Sequence, residues 1–272
     1  MRRENWTGIV SILGLALCLC LILWDGSSAS AAERESALHR IQKTGVLRVG
    51  WALWFPWTYV DQKANKLVGI GPDVMEELAK ALGNVKIEWI TDSWATLAAG
   101  IQANKFDVVY PFTITLPRAT AVEYTDDTMR ESINFLVLKK NAAKFKTVSD
   151  VDQPAVKVGA TLGSNVEYHV TRLCKKPEII RLKSQAEGLM SLTLEKIDVL
   201  LNNGSGIADA MKNYPETTVI KGSLALAKNS MCIRQGDQIF LNWLNLFIAD
   251  MKETGTLDRI FQKYGAKREI FF

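Results

Sequence analysis

Between residues 46 and 110, short apolar runs alternate with segments whose apolar positions recur every three to four residues. The runs at 46–51, 85–90 and 106–110 predict strands, and the helical periodicity of 73–82 and 93–103 predicts helices. Strand and helix in alternation give parallel strands joined by crossover helices. A second set begins with the apolar run 133–138 and continues with strands at 156–159, 179–182, 197–201 and 218–220. Its helices are expected from Asn165 onward, over 184–194 and over 206–212. The chain closes with a strand at 231–234 and helices at 238–251 and 257–264, with Gly255 expected as C-cap of the first and Thr256 as N-cap of the second. Two similar α/β units follow from this order. No low-complexity linker divides them, and residues 126–132, where polar positions bridge two apolar segments, form the expected hinge.

The first residues stand apart from this pattern. Arg2 and Arg3 precede an apolar run over 9–24 and the small residues 27–32, which together read as a secretory signal at 1–31 with cleavage after Ala31. Cys18 follows Leu-Ala-Leu and lacks the small neighbour that lipid attachment needs, so no lipoprotein is expected. No later stretch is long and apolar enough to span a bilayer. The secreted chain is expected to be soluble and monomeric in a bacterial periplasm.

The roughly 240 residues left after cleavage suffice for one large domain or two lobes of ordinary size. A net charge of +4 over 272 residues, with acids and bases interspersed, describes solvated faces and not a nucleic-acid-binding stripe. Cys174 and Cys232 remain after cleavage. An oxidising compartment permits them to pair, and two buried thiols are the alternative. His39 and His169 are the only histidines, too few and too far apart for a zinc motif, and no cofactor is expected.

The chemistry of the chain concentrates at residues 106–118, Phe-Asp-Val-Val-Tyr-Pro-Phe-Thr-Ile-Thr-Leu-Pro-Arg. A buried-looking strand runs into a hydroxyl-bearing turn and then sets Arg118 in the first turn of a helix. The planar guanidinium, the Thr113 hydroxyl and the amides of a helix start suit a carboxylate. A capped helix with a solvated arginine is the plain structural alternative.

Several motifs in register carry a broader resemblance. They are Ile-Gln-Lys-Thr-Gly-Val-Leu-Arg-Val-Gly at 41–50, Lys-Leu-Val-Gly-Ile-Gly-Pro-Asp-Val at 66–74, Trp94 followed by Lys-Phe-Asp at 105–107, and Thr-Ile-Thr-Leu-Pro-Arg at 113–118. Val-Lys-Val-Gly at 156–159, Gly-Ser-Asn at 163–165, Lys-Ile-Asp-Val-Leu at 196–200 and Met-Lys-Glu-Thr-Gly-Thr-Leu-Asp-Arg-Ile at 251–260 continue the series. The chain resembles the periplasmic solute-binding proteins, family 3, that serve amino-acid ABC transporters. The resemblance implies a two-lobed α/β fold of the type II periplasmic-binding-protein class, each lobe a mixed, mainly parallel sheet flanked by helices. Lobe one is expected over 32–131 plus 229–272 and lobe two over 132–228. It further implies a receptor that closes on a small carboxylate or zwitterion and delivers it to an ABC permease in the inner membrane.

By the same resemblance, Arg118 grips the ligand's carboxylate, with Thr113 beside it and the helix start at Ser164 and Asn165 completing the cradle. On the ammonium side the chain departs from the family. Asn203 stands where members for ordinary amino acids carry an acid, and Pro111 occupies a position where the family uses a backbone carbonyl. The segment 110–113 is one residue short. Trp54 and Trp94 take aromatic positions of the family pocket, with Trp51 and Tyr110 nearby in the pattern. Such faces suit a methylated or quaternary amine by cation–π attraction, or a flat ligand by stacking. Trp57 and Trp89 read as core, and Trp51 as either core or pocket. Two rival functions stay open: a cyclohexadienyl-dehydratase-like lyase, which Gly204-Ser205-Gly206 disfavours for want of a proton donor, and a receptor that presents its ligand to a sensor or partner protein.

Overall fold

The computed structural model describes residues 35–271; the signal segment expected over 1–31 lies outside them. Among the described residues, no helix is long and apolar enough to cross a membrane.

Helix α1 (Ala37–Thr44) starts under a Ser36 cap and stops at Gly45, whose left-handed φ of 68° lets its amide donate back to the Ile41 carbonyl. Strand β1 (Val46–Trp51) follows, then a short hairpin of β2 (Tyr59–Asp61) and β3 (Lys66–Val68) that the apolar pattern does not announce. Helix α2 (Ile70–Ala81), β4 (Lys86–Thr91), α3 (Leu97–Gln102) and β5 (Val108–Thr113) complete a parallel set with β1 at its centre. Asp107, at the root of β5, accepts from the Arg48 amide at 2.7 Å and from Arg48 Nη2 at 2.7 Å, and it also pairs with Arg40. That ion-paired knot ties α1, β1 and β5 together and gives the Lys-Phe-Asp motif its structural reason.

The one-turn helix α4 (Leu116–Ala119) and β6 (Val122–Tyr124) lead into β7 (Met129–Leu138). Then come α5 (Val148–Val151), β8 (Lys157–Thr161), α6 (Asn165–Leu173), β9 (Glu178–Leu182), α7 (Gln185–Thr193), β10 (Val199–Asn203), α8 (Gly204–Asn213) and β11 (Thr217–Val219). Strand β12 (Ala225–Arg234), α9 (Gln238–Glu253), α10 (Thr256–Lys263) and β13 (Glu269–Ile270) end the chain. Gly255 has a left-handed φ of 69° and is itself the N-cap of α10, while Thr256 is its first helical residue, so the expected assignment of the cap to Thr256 shifts back by one.

Among the described residues the main sheet runs β4-β1-β5-β12-β7-β10-β8-β9. Its two ends are parallel, as the strand–helix alternation predicts. The middle is antiparallel, because β7 and β12 pair with each other from Met129 opposite Asn229 to Ile133 opposite Ala225. Strand takes up residues 129–132 of the expected hinge at 126–132 and leaves 126–128 outside it, and the strand expected at 231–234 lengthens back to Ala225. Lys228, Asn229 and Ser230 disguise that extension, since sequence patterning reads such residues as loop.

Hydrophobic burial divides on either side of these two strands. Two cores draw on residues 38–129 and 231–261, around Ile41, Trp57, Leu78 and Phe240 and around Leu97, Phe106 and Phe112. Two others draw on residues 133–227, around Phe135, Val158 and Leu201 and around Leu136, Leu189 and Ile207. The fold is two-lobed. Cys174 and Cys232 fall in different cores, buried and unpaired, and burial pushes both thiols up, Cys174 to about 11.

Where β7 and β12 cross sits Glu131, fully buried. Its Oε2 accepts from the Ser205 amide at 2.9 Å and its Oε1 from Asn229 Nδ2 at 3.2 Å. Among the described residues, no cationic side chain pairs with it, and burial raises its carboxyl from 4.5 to about 7. Ser205 Oγ in turn accepts from Trp57 Nε1 at 2.8 Å, and Asn229 Oδ1 accepts from Thr113 Oγ1 at 2.5 Å. One carboxyl therefore joins both halves of the chain.

An acid whose folded pKa is raised favours the folded state while protonated and loses that advantage as pH climbs through the folded value. Raising Glu131 from 4.5 to about 7 corresponds to roughly 3 kcal/mol at full ionisation. Urea midpoints should therefore fall between pH 4.5 and 8 in the wild type and fall less in Glu131→Gln, with the two curves parting across that window. Superimposable curves would show that Glu131 titrates alike in the folded and unfolded chain, and would overturn the upward shift.

Candidate functional site

Strand β8 ends at Thr161 and reaches α6 through the loop 162–164, and β10 ends at Asn203 and hands over directly to α8; the carboxyl ends of strands are where open α/β sheets bind ligands. A cavity of about 860 Å³ lies there. On one side it is lined by Trp54, Phe55, Tyr59 and Trp94, and on the other by Ser164, Asn165, Asn202 and Asn203. Of the residues singled out from sequence, Trp54, Trp94, Ser164, Asn165 and Asn203 stand in its wall. Arg118, Thr113, Tyr110, Pro111 and Trp51 are not among its lining residues.

The aromatic wall is a chain of rings. Trp54 lies 5.5 Å from Trp57 and 5.8 Å from Trp94, the latter pair edge-on at 80°. Trp94 stacks on Phe112 at 6.4 Å with 9° between the planes. The guanidinium of Arg118 sits 4.0 Å over the Phe112 ring, within cation–π range. Trp57 is fully buried, as expected; Trp89 and Trp51 are half-buried.

Arg118 is reached from a short capped turn. Thr115 caps α4 and accepts from the Arg118 amide at 3.4 Å. The side chain folds back so that Nη1 donates to the Thr113 carbonyl at 3.0 Å, while Nη2 donates to the Gly163 carbonyl at 3.0 Å. One guanidinium thus touches both halves of the fold. Desolvation lowers its pKa, the cost of setting a cation among Phe112, Tyr124 and backbone. A guanidinium has five donors, so these two bonds leave others to meet an anion.

Gly163 belongs to the same contact. Its φ is +72°, and a Cβ there would come within 2.7 Å of the Ala95 backbone. Its amide donates to Glu167 Oε2 at 2.6 Å, and Glu167 Oε1 accepts from Arg181 Nε at 2.5 Å. Glu167, in the first turn of α6, thereby pins the loop before that helix. Ser164 caps that helix: its Oγ donates to the Thr161 carbonyl at 2.6 Å and accepts from the Glu167 amide at 3.4 Å.

Asn165 and Asn203, both buried, form an amide pair: Asn165 Nδ2 donates to Asn203 Oδ1 at 2.8 Å and Asn203 Nδ2 to Asn165 Oδ1 at 3.4 Å. A neutral, hydrogen-bonded amide pair therefore stands in this wall of the cavity. Thr113 differs from its expected setting in one respect, because its hydroxyl proton is committed to Asn229 and the oxygen has only lone pairs left to offer. Tyr110 hydrogen-bonds Thr128 at 3.0 Å, and burial pushes its phenol up to about 12.

Sequence reasoning missed Glu131, Asn202, Asp209 and the contact of Gly163 with Ala95. Gly163 lies inside a motif that was legible; Asp209 and Glu131 carried no pattern of their own. Among the described residues, no group of three or more His, Cys, Asp or Glu stands together as a metal site.

A family model, "Bacterial extracellular solute-binding proteins, family 3", matches residues 47–267. The L-cystine-binding protein TcyJ of Escherichia coli (strain K12) is 25% identical over 248 residues, covering 90% of this chain and 92% of its own. The L-cystine-binding protein TcyA of Bacillus subtilis (strain 168) is 28% identical over 259 residues, covering 94% of each. Among solved structures, the ancestral amino acid-binding protein AncCDT-1, a precursor of cyclohexadienyl dehydratase, superposes with a TM-score of 0.78 at 31% identity, over 84% of this chain and 99% of that one. Motif series, two-lobed sheet and interlobe cavity agree with these likenesses: the chain belongs to the bacterial extracellular solute-binding proteins, family 3.

Proposed function

We propose that this chain is an extracytoplasmic receptor that captures an amino acid or amino-acid-like zwitterion between lobe one (32–131 with 229–272) and lobe two (132–228) and delivers it to an ABC transporter permease. The observation that carries the reading is Arg118, whose guanidinium reaches the Thr113 carbonyl of one half and, in the other, the carbonyl of Gly163, between the cavity-lining Leu162 and Ser164. An anion bound to its remaining donors would add contacts that exist only when the halves are together, and closure requires that kind of differential affinity. The amides at the start of α6, below the Ser164 cap, add partial positive charge on the far side. Trp54 and Trp94, edge-on to each other, offer the ligand's cationic group a corner of ring faces in place of the acid that Asn203 replaces.

The lyase alternative asks for a proton donor at the start of α8. This chain has Gly204, Ser205 and Gly206 there, and the Ser205 hydroxyl already accepts from Trp57. That arrangement favours binding over catalysis.

A thermal-shift screen of the secreted protein, stripped of carried-over ligand, against amino acids, betaines, aromatic acids and plain carboxylates should find ligands that raise the melting temperature. No shift from any carboxylate would overturn the receptor reading. Arg118→Ala should weaken the best ligand by about a hundredfold, or roughly 3 kcal/mol, the worth of one or two charge-assisted hydrogen bonds, without a comparable loss of fold stability. Undiminished affinity would remove Arg118 from the site. Gly163→Val sets a branched side chain against the Ala95 backbone at a left-handed φ. Small-angle scattering should then show less ligand-induced compaction than in the wild type, with dissociation about tenfold faster.

A further inference from the structure

The cavity is large for a single amino acid. At the ~30 Å³ that a water molecule occupies in the liquid, 860 Å³ is room for roughly thirty heavy atoms, against about ten for an ordinary amino acid. Its wall continues past Asn203 along α8 to Asp209, Asn213 and Tyr214, and across to Gln185 and Leu189 of α7.

Charge is unevenly satisfied along that wall. Asp92, the other lining carboxylate, is met by Lys105 at 2.8 Å, by the Ser93 amide at 2.8 Å and by Thr96. Asp209 accepts from Asn213 Nδ2 at 2.8 Å, one helical turn on, and among the described residues forms no ion pair. It is half-buried, and burial shifts its carboxyl upward. Such a carboxylate facing a cavity is stabilised by a cation brought from outside.

We propose that Asp209, oriented by Asn213, forms a second polar subsite that takes an ammonium group at the far end of the ligand, and that the ligand is a double-headed amino acid. The proposal rests on the amino-acid receptor reading above. Six residues of helix separate Asn203 from Asp209, about 9 Å at 1.5 Å per residue. Two α-carbons joined through a disulfide lie about 5.5–6 Å apart, and their ammonium groups reach further still. A disulfide-linked pair of amino acids, or a single one with a terminal amine, spans that distance; one with a short neutral side chain does not. Lys183, on the same wall, is placed to meet a second carboxylate, which would favour the disulfide-linked form.

Isothermal titration of the secreted protein at pH 7 with L-cystine, L-lysine and S-methyl-L-cysteine tests this. L-cystine or L-lysine should bind the wild type more tightly than S-methyl-L-cysteine. Asp209→Asn should weaken the double-headed ligand by about tenfold or more and leave S-methyl-L-cysteine within about twofold, while Asp209→Glu restores part of the loss. Preference for L-cystine over L-lysine would show that the second carboxylate is read as well. Equal weakening of every ligand, or none, or a wild type that takes only S-methyl-L-cysteine, overturns the subsite while the receptor reading stands. Failure of all three to bind the wild type overturns the double-headed ligand, while the receptor reading is then decided by the wider thermal-shift screen.

Discussion

A carboxyl group taken wholly out of water and given no cation governs how the two halves of this chain are joined. Glu131 sits where β7 and β12 pair, and its oxygens are satisfied by the amide at the start of α8 and by the side chain of Asn229. Burying a polar group without partners costs several kcal/mol, so the partners are held in place by the cost of losing them. They lead outward to Trp57, under the aromatic wall, and to Thr113, at the end of β5. The junction is thereby a hydrogen-bonded knot and not a loose linker. Its neutral form is the one the interior prefers, which makes the junction sensitive to pH in a range where most carboxylates are not.

The cavity wall is built without a free charge at its inner end. Asn203 and Asn165 satisfy each other, each amide meeting the other. The ring faces of Trp54 and Trp94 stand opposite, and behind them a guanidinium lies on Phe112. Phe112 thus serves both ends, with Trp94 and Arg118 each lying against its ring. A ring shared in this way couples the position of the tryptophan to that of the arginine.

Much of this was legible in the chain. The parallel strands at both ends of the sheet and the helices between them follow from apolar periodicity and the Arg118 turn from its local chemistry, whereas Ser164 and Asn165 were reached only through the family resemblance. The centre of the sheet was not legible, because Lys228, Asn229 and Ser230 look like loop and become strand only when β7 supplies the other edge. Tertiary pairing overrode local preference there. Glu131 was hidden for the same reason: one acid in a polar stretch gives no sign that the stretch is buried. Pocket residues were found where a motif surrounds them, as with Trp94, Ser164 and Asn203, and missed where helix packing alone brings them in, as with Asp209. Arg118 was identified from its turn, yet its reach to Gly163 depends on the approach of two segments that no local pattern encodes.

The passage of β12 back into the first half has a consequence for how the chain acquires its shape. Strand β5 has β1 on one side, but its other edge is filled only when Ser230 arrives opposite Phe112, more than a hundred residues downstream. The second half, by contrast, is contiguous in sequence and can assemble from near neighbours. Long-range pairing is slow because the loop it closes must be ordered first. The half synthesised first is therefore the half finished last, and its β5 edge stays unpaired in the interval, open to pairing with other strands.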